Sequence, residues 1–363
     1  MNSTRSRTLA TMSGLVLSIT SLVACGDDGG GGGGGDAKDD TTVVVASPAP
    51  NSLFTFNEVI ARELGFYEEE GISVKVEALS DTVPGAALVQ NGKVDTALIS
   101  SSDALAAAAK ADDLRLPYDE RTGGSDFIYG VVVPEDSGVE DLTQLKGENI
   151  GLASPDQDLA LLASALKLVD MSLDDVTTTV VGPGGPSVAE AISSGRIAAY
   201  TGTIQDFAAF GDAGLEVENI LPEGFEGLPV GGYVTTEDAL TSDGKVVKFL
   251  RALAKGTYVA LERPEIAELV TQEVAPEQWR EPEVAQFLLE GLYSTLAPFD
   301  GNTFGEIKPD RWLSAQDLLI EVGAMPSGAD LDTFLDDAFI AEINDWDREA
   351  VLAEADAWLA DNS

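Results

Sequence analysis

From Thr42 onward the chain alternates between two periods of hydrophobic and polar positions. TVVVA, Thr42 to Ala46, is a short apolar run closed by a Pro/Asn loop and reads as a strand. NEVIARELGFYEEEG follows with apolar residues at helical spacing and ends near Gly65 or Gly71. SVKVEA sets Val74 and Val76 against polar neighbours, as a half-buried strand does. PGAALVQNG then reads as a helix with a stop signal, TALIS as a buried strand and SSDALAAAAK as a capped helix. Strand and helix alternate throughout, which predicts an α/β fold built on mainly parallel sheet flanked by helices.

The same grammar returns 103 residues later. VKVEALSDTVPGAALVQNGKVDTALIS, from Val74, lines up with TTTVVGPGGPSVAEAISSGRIAAYTGT, from Thr177. In both copies a strand leads through a Gly/Pro loop to a helix, then through Asn91-Gly92-Lys93-Val94 or Ser194-Gly195-Arg196-Ile197 to a buried strand. Two such lobes predict a cleft between them, faced by the carboxyl ends of strands from both halves. Glycine marks both junctions, Gly123 and Gly124 in TGGS and Gly231 and Gly232 in LPVGG, and these four are the candidate hinge residues. The expected division is lobe one over 41–125, lobe two over 126–232, and a helical return to lobe one over 233–363.

The residues before Thr41 have a different character. Arg5 and Arg7 precede an uncharged, Leu- and Val-bearing stretch that reaches Ala24 and Cys25, the layout of a secretory leader over 1–24. That stretch is too short and too interrupted for a membrane span. Cys25 is the chain's single cysteine, so in an exported protein it has no internal disulfide partner. Residues 26–40 hold eight glycines and five aspartates and read as a disordered tether, with a reach on the order of 20 Å.

Charge narrows the partners. Lys plus Arg number 21 against 63 Asp plus Glu, a net charge of −42 that becomes −44 once the leader and its two arginines are removed. Nucleic acid and anionic lipid headgroups need clustered cations, so both are excluded. The acids are spread along the chain, as on a solubilising surface suited to high salt. There is no histidine, and Cys25 lies before the tether, so no metal-ligand spacing appears and no cofactor motif is readable. The seven-glycine run lacks a following Gly-Lys-Ser/Thr and is not a phosphate loop. No nucleophile with an adjacent base is readable either, and the chain reads as a non-enzyme.

In a two-lobed arrangement ligand contacts come from loops that follow strands, and four such loops stand out. The first supplies Asn51 and Ser52. The second supplies Ser101 and Ser102, in a serine run where at least one residue caps the helix, contacts ligand, or does both. The third supplies Ser154, Asp156 and Gln157; Ser154 is the expected cap, Pro155 the first helical residue, and Asp156 either complements the helix dipole or faces ligand N–H donors. The fourth supplies Tyr200, Thr203, Gln205 and Asp206, which would stack on and hydrogen-bond a heterocycle or else form a half-buried ring and a cap. An anion specialist would want a convergent arginine, and Arg121, with Asp126 as a ready partner, is the only one the sequence sets near the cleft. Trp279, Trp312, Trp346 and Trp358 lie in the C-terminal helical part and are expected to pack.

ARELGFYEEEGISVKVE, QNGKVDTALIS, VEDLTQLKGENIGL and VVKFLRALAKGTYVALERPE resemble the solute-binding proteins of ABC importers for nitrate, sulfonates and thiamine precursors, over about Thr42 to the C-terminus. FGEIKPDRWLSAQDLLIEVG, DLDTFLDDAFI and Pro50-Asn51 resemble the branch that binds pyrimidine precursors of thiamine, although Val45 to Ala49 stand where that branch often has aromatic and acidic residues. The resemblance implies a two-lobed periplasmic-binding-protein fold that closes on a small molecule and delivers it, as a monomer, to an ABC permease. Leu22-Val23-Ala24-Cys25 resembles a lipobox, which implies that Cys25 is lipidated and anchors the protein at the outer face of the cell membrane. Alternatives are an anion-binding member of the same family and a ligand-sensing lipoprotein with no transport role. Fungal enzymes of the pyrimidine branch sacrifice one of their own histidines, and a chain without histidine lacks that reaction.

Overall fold

A computed structural model describes residues 41–363 apart from 81–82, 121–128, 156, 223–224, 226–228, 299–300 and 363. Cys25, the expected lipidation residue, the expected tether, the hinge candidates Gly123 and Gly124, and Arg121, Asp126 and Asp156 lie outside the described residues.

Ten strands form in chain order: β1 (Thr42–Ser47), β2 (Ser73–Ala78), β3 (Thr96–Ser100), β4 (Leu114–Tyr118), β5 (Tyr129–Pro134), β6 (Asn149–Leu152), β7 (Thr177–Val180), β8 (Ala199–Thr203), β9 (Val217–Asn219) and β10 (Gly231–Thr236). They make two five-stranded sheets, ordered β2-β1-β3-β10-β4 and β7-β6-β8-β5-β9. In the first, β1 runs parallel to β2 from Thr42↔Ser73 to Ser47↔Ala78 and parallel to β3 at Val45↔Thr96, while β10 lies antiparallel to β3 and β4. In the second, β6 is parallel to β7 and β8, and β5 is antiparallel to β8 and β9. Each sheet is therefore mixed, with four strands in one direction and one against them. The internal repeat has a structural counterpart: β3 and β8 sit 103 residues apart at both ends and hold the same central place in their sheets.

The strands fold this way because their apolar residues are needed on both faces. Val43, Val45 and Ala46 of β1 and all five residues of β4 are buried, as expected of strands covered by helices on each side. The helical segment after β1 breaks at Gly65, whose left-handed φ of 81° ends one helix (Phe56–Glu63) and opens a short one (Phe66–Glu69); Gly71, at φ 69°, then turns the chain into β2.

The C-terminal helices cover more than the first sheet. Lys245–Glu262 packs along Phe56–Glu63 and buries Val246, Phe249, Leu250 and Leu253. Its Arg251 meets Glu70 at 2.6 Å and Glu342 at 3.3 Å, and its Lys255 meets Glu70 at 3.1 Å, so two cations bind three segments together. Pro309–Glu321 contacts both Ser101–Ala108 and Gln157–Leu168, which belong to different lobes. Its Trp312 is fully buried, donates to Asp119 Oδ2 at 2.9 Å and meets the Phe334 ring edge-on at 6.0 Å. Trp279 donates to Thr271 Oγ1 at 3.1 Å, Trp346 stacks on Phe304, and Trp358 packs at the margin of the main core.

Gly231 and Gly232 lie inside β10, paired with Ser100 and Ile99. A Cβ on Gly231 would fall 2.2 Å from the Ile99 carbonyl oxygen, and one on Gly232 would fall 2.4 Å from that of Tyr118. Close backbone approach therefore demands glycine here, beyond any role in bending. Gly231→Ala is expected to lower stability by about 1–3 kcal/mol, as overpacking does, measured by urea unfolding. An unchanged midpoint would refute the requirement for glycine at this approach.

Candidate functional site

A cavity of about 980 Å³ lies between the two sheets. Its walls begin where parallel strands end: Pro48 and Ala49 follow β1, Leu79 and Ser80 follow β2, Ser100 closes β3, and Thr203 closes β8. This is the edge at which ligands settle in α/β sheets. A third wall comes from the helix Pro282–Leu296, whose Val284, Leu288 and Leu292 recur every four residues along one face. That helix touches the turn Leu53–Thr55 of one lobe and the helix Ile204–Asp212 of the other.

Of the residues singled out from sequence, the structure brings Ser52, Gln157, Thr203 and Gln205 to the cavity wall. Ser52 caps the Leu53–Thr55 turn by accepting from Phe54 N–H and donates its own hydroxyl to Ala49 at 2.6 Å. Gln157 donates to the Tyr129 hydroxyl, so two lining residues, from β5 and from the helix after β6, hold each other in place. Gln205 is exposed to the cleft and has no side-chain partner among the described residues.

The remaining candidates stand away from the described lining. Asn51 adopts φ 55° and accepts from Arg62 Nη1 at 2.7 Å, beside a separate small pocket. Ser101 is buried with its N–H donating to Val230 O at 3.1 Å, while Ser102 bonds Ser100 through their hydroxyls at 3.1 Å. Ser154 donates its N–H to Asp158, because the helix starts at Gln157 and the capping carboxylate comes from inside it. Tyr200 is buried behind the wall, its hydroxyl donating to Gly182 O at 3.1 Å and its ring edge-on to Phe210 at 5.1 Å. Asp206 is buried as well and accepts from the N–H and hydroxyl of Thr203 at 2.7 and 2.9 Å, and from Gly184 N–H at 2.5 Å.

Within the serine run it is Ser100 that lines the cavity and caps Ser101–Ala108, accepting from Asp103 N–H, a Ser-x-x-Asp spacing at a strand end. Other lining residues went unread. Tyr129 opens β5, and only the pairing of that strand with β8 aims it into the cleft. Gln278 accepts from Leu53 N–H at 2.8 Å across 225 residues of chain, a contact no local pattern announces.

The site's electrostatics are set by acids. Asp103 is the one formally charged residue among the described lining, and no Lys or Arg occurs there. The three longer helices that start at the cleft, Ser101–Ala108, Gln157–Leu168 and Ile204–Asp212, each carry an aspartate in the first turn: Asp103, Asp158 and Asp206. These carboxylates sit where helix dipoles are positive. At these three ends an incoming anion finds the attractive position already occupied, whereas the short helix Gly85–Gln90, which also begins in the lining, has no acid in its first turn.

Residues 55–267 match the NMT1/THI5-like family. The chain belongs to that family. No curated protein sequence matches it. Among solved structures, this NMT1/THI5-like chain is similar to a putative sulfonate ABC transporter periplasmic sulfonate-binding protein, SsuA, from Methylobacillus flagellatus KT, with a TM-score of 0.67 at 17% identity over 85% of this chain and 94% of that one. The periplasmic aliphatic sulphonate binding protein SsuA from Escherichia coli gives 0.64 at 14% identity, over 82% and 92%. The desulfurization enzyme DSZB gives 0.57 at 14% identity, over 83% and 98%. The NMT1/THI5-like chain thus has the periplasmic-binding-protein fold.

Burial pushes the Asp158 carboxyl up to about 6 from an ordinary 3.8; the Ser154 N–H works against this, and the nearby Asp206 charge adds to it. Between those values the folded protein holds a proton that the unfolded chain has released, so this group lowers stability as pH rises through that window. Asp158→Asn removes the effect. Relative to the parent, the variant is expected to gain about 2–3 kcal/mol of stability on going from pH 3.5 to pH 7, at 1.36 kcal/mol per unit, measured by urea unfolding. A difference that stays constant with pH refutes this.

Proposed function

We propose that the protein is an extracytoplasmic solute-binding protein that delivers a small molecule to an ABC importer, acting as a monomer and closing its lobes on the ligand. Family membership and the similarity to sulfonate-binding proteins support this, and the cleft carries it: a ligand-sized cavity at the carboxyl ends of strands from two lobes. Cys25, as a lipidated first residue of the mature chain, would hold the protein at the outer face of the membrane while the glycine tether gives it reach.

For the ligand, acid-capped helix ends and a lining without described cations favour an uncharged or weakly basic heterocycle, such as a thiamine-precursor-like pyrimidine. The second reading is a sulfonate- or nitrate-type anion, supported by what the SsuA structures are named for. An enzymatic reading analogous to DSZB has less support, since no cysteine follows residue 25 and the chain has no histidine.

Residues 41–363 should be titrated with pyrimidines, flavins, sulfonates and nitrate while unfolding is followed. A true ligand at a hundredfold its Kd adds about 2.7 kcal/mol. Gln205→Ala is expected to weaken that ligand up to about tenfold, the loss of one hydrogen bond, with unfolding of the free protein unchanged. No stabilisation by any compound would overturn the delivery reading. Separately, Cys25→Ser is expected to release the protein from the membrane fraction of expressing cells, and full retention would refute the lipid anchor.

A further inference from the structure

The cleft has a feature that neither a small polar heterocycle nor a small anion needs. Its volume of about 980 Å³ lies at the top of the roughly 300–1,000 Å³ spanned by pockets that engulf drug-sized ligands. The cavity is open to solvent in this form, and a single pyrimidine ring would leave most of it to water until the lobes close. The space is not lined for water: the third wall is the apolar face Val284, Leu288 and Leu292 of the helix Pro282–Leu296, and Phe54, Leu98 and Ile204 also border the cavity. Val284, Leu288 and Phe54 are only half-buried although they face inward. Covering such surface favours binding by about 25 cal/mol per Å² of apolar area removed from water. The polar groups are gathered elsewhere on the wall, at Ser100, Gln157, Thr203 and Gln205 by the strand and helix ends. Most hydrogen-bonding groups of the lining thus sit by the strand and helix ends, with Gln278 apart from them, while the face of the C-terminal helix is hydrocarbon that Leu79, Leu98, Ile99 and Val230 continue onto the sheets.

We infer that the ligand is an amphiphile without negative charge: an aryl or alkyl body larger than one ring, seated on the Val284–Leu288–Leu292 face, with an uncharged or cationic hydrogen-bonding end toward the two sheets. This rests on the solute-binding reading and specifies the class of solute. The helix wall selects for the apolar body, since an apolar group gains there what a polar one loses by desolvation. The aspartates Asp103, Asp158 and Asp206 select against an anionic end, since each occupies the first turn of a helix whose N-terminus would otherwise attract it.

Two fluorescent probes with the same diarylamine body isolate the two halves of the inference. N-phenyl-1-naphthylamine is neutral, and 8-anilino-1-naphthalenesulfonate carries an added sulfonate. Titrated into residues 41–363, the neutral probe is expected to bind saturably at one site and at least tenfold more tightly than the sulfonated one. Leu288→Asp is expected to weaken the neutral probe at least tenfold. Leu313→Asp, at an exposed position on Pro309–Glu321 outside the cavity lining, is expected to leave it unchanged. If Leu288→Asp does not fold by circular dichroism, Leu288→Ala replaces it, with an expected loss of at least threefold. Equal or tighter binding of the sulfonated probe, no saturable binding of the neutral probe, or insensitivity to the Leu288 substitution overturns the inference. A stabilising pyrimidine combined with failure of the neutral probe would sink this inference and leave the delivery reading standing. Probe binding through Leu288 without stabilisation by any transported-solute candidate would do the reverse.

Discussion

Parallel strands joined by helical returns place the N-terminus of each return helix at the carboxyl edge of the sheet, and the rest of this protein is arranged around that edge. Two sheets built this way present it to each other, so the cleft inherits exposed N–H groups and positive dipole ends before any ligand is considered. The chain answers with carboxylates at three of these helices, Ser101–Ala108, Gln157–Leu168 and Ile204–Asp212, while Pro186–Ser193 carries none in its first turn. Asp206 binds Thr203 and Gly184 at once, which ties β8, its following helix and the loop before Pro186–Ser193 into one unit. At those three ends the backbone geometry that would make an anion site is satisfied from within the protein, and apart from Asp103 the hydrogen-bonding side chains of the described lining are neutral.

A second constraint follows from the antiparallel strand in each sheet. β5 begins the second lobe after the chain has left β4, and β10 re-enters the first sheet after the chain has left β9, so the backbone crosses between lobes twice. Both crossings feed strands in the same relative place, beside β8 and β3. Pro282–Leu296 and Pro309–Glu321 add contacts between lobes that are not backbone crossings. Closing motion in such a molecule has to carry those helices with one lobe and slide them past the other, and Pro282–Leu296 would then meet the ligand as it moves.

Much of the fold was legible because its punctuation is local. Gly65 and Gly71 stop helical segments through left-handed φ, and the 103-residue repeat was readable because Asn91-Gly92 and Ser194-Gly195 mark equivalent turns before equivalent buried strands. The site was less legible, since residues adjacent in sequence at a strand end point in different directions. Ser100 faces the cavity while Ser101 beside it is buried, and Thr203 lines the wall that Tyr200 supports from behind. A tyrosine on an interior strand and an aspartate three residues after a threonine are also what a strand core and a capping box require. The helix wall was beyond local reading altogether: Val284, Leu288 and Leu292 have the spacing of any core-facing helix, and only the contact with Leu53–Thr55 and Ile204–Asp212 turns that face into part of a cleft.

The scarcity of cations connects the acidic composition to the character of the site. With 21 Lys and Arg among 63 acids, each partly buried carboxylate that needs a counter-charge competes for few candidates. Lys245 with Asp95, and Arg251 and Lys255 with Glu70, meet that need at ion-pair distances of 2.6–3.1 Å, with each cation at most 28% exposed. Removing such a cation would leave a poorly hydrated carboxylate behind, so these residues are fixed in the frame of the first lobe. A cleft assembled from what remains uses hydroxyls, carboxamides and hydrocarbon, and a ligand matched to it must gain its affinity from shape, apolar contact and neutral hydrogen bonds. That form of recognition survives in concentrated salt, where screening within about 3 Å at 1 M ionic strength would erode charge-based selection at an open cleft, and it is the form an acidic surface suited to high salt would require.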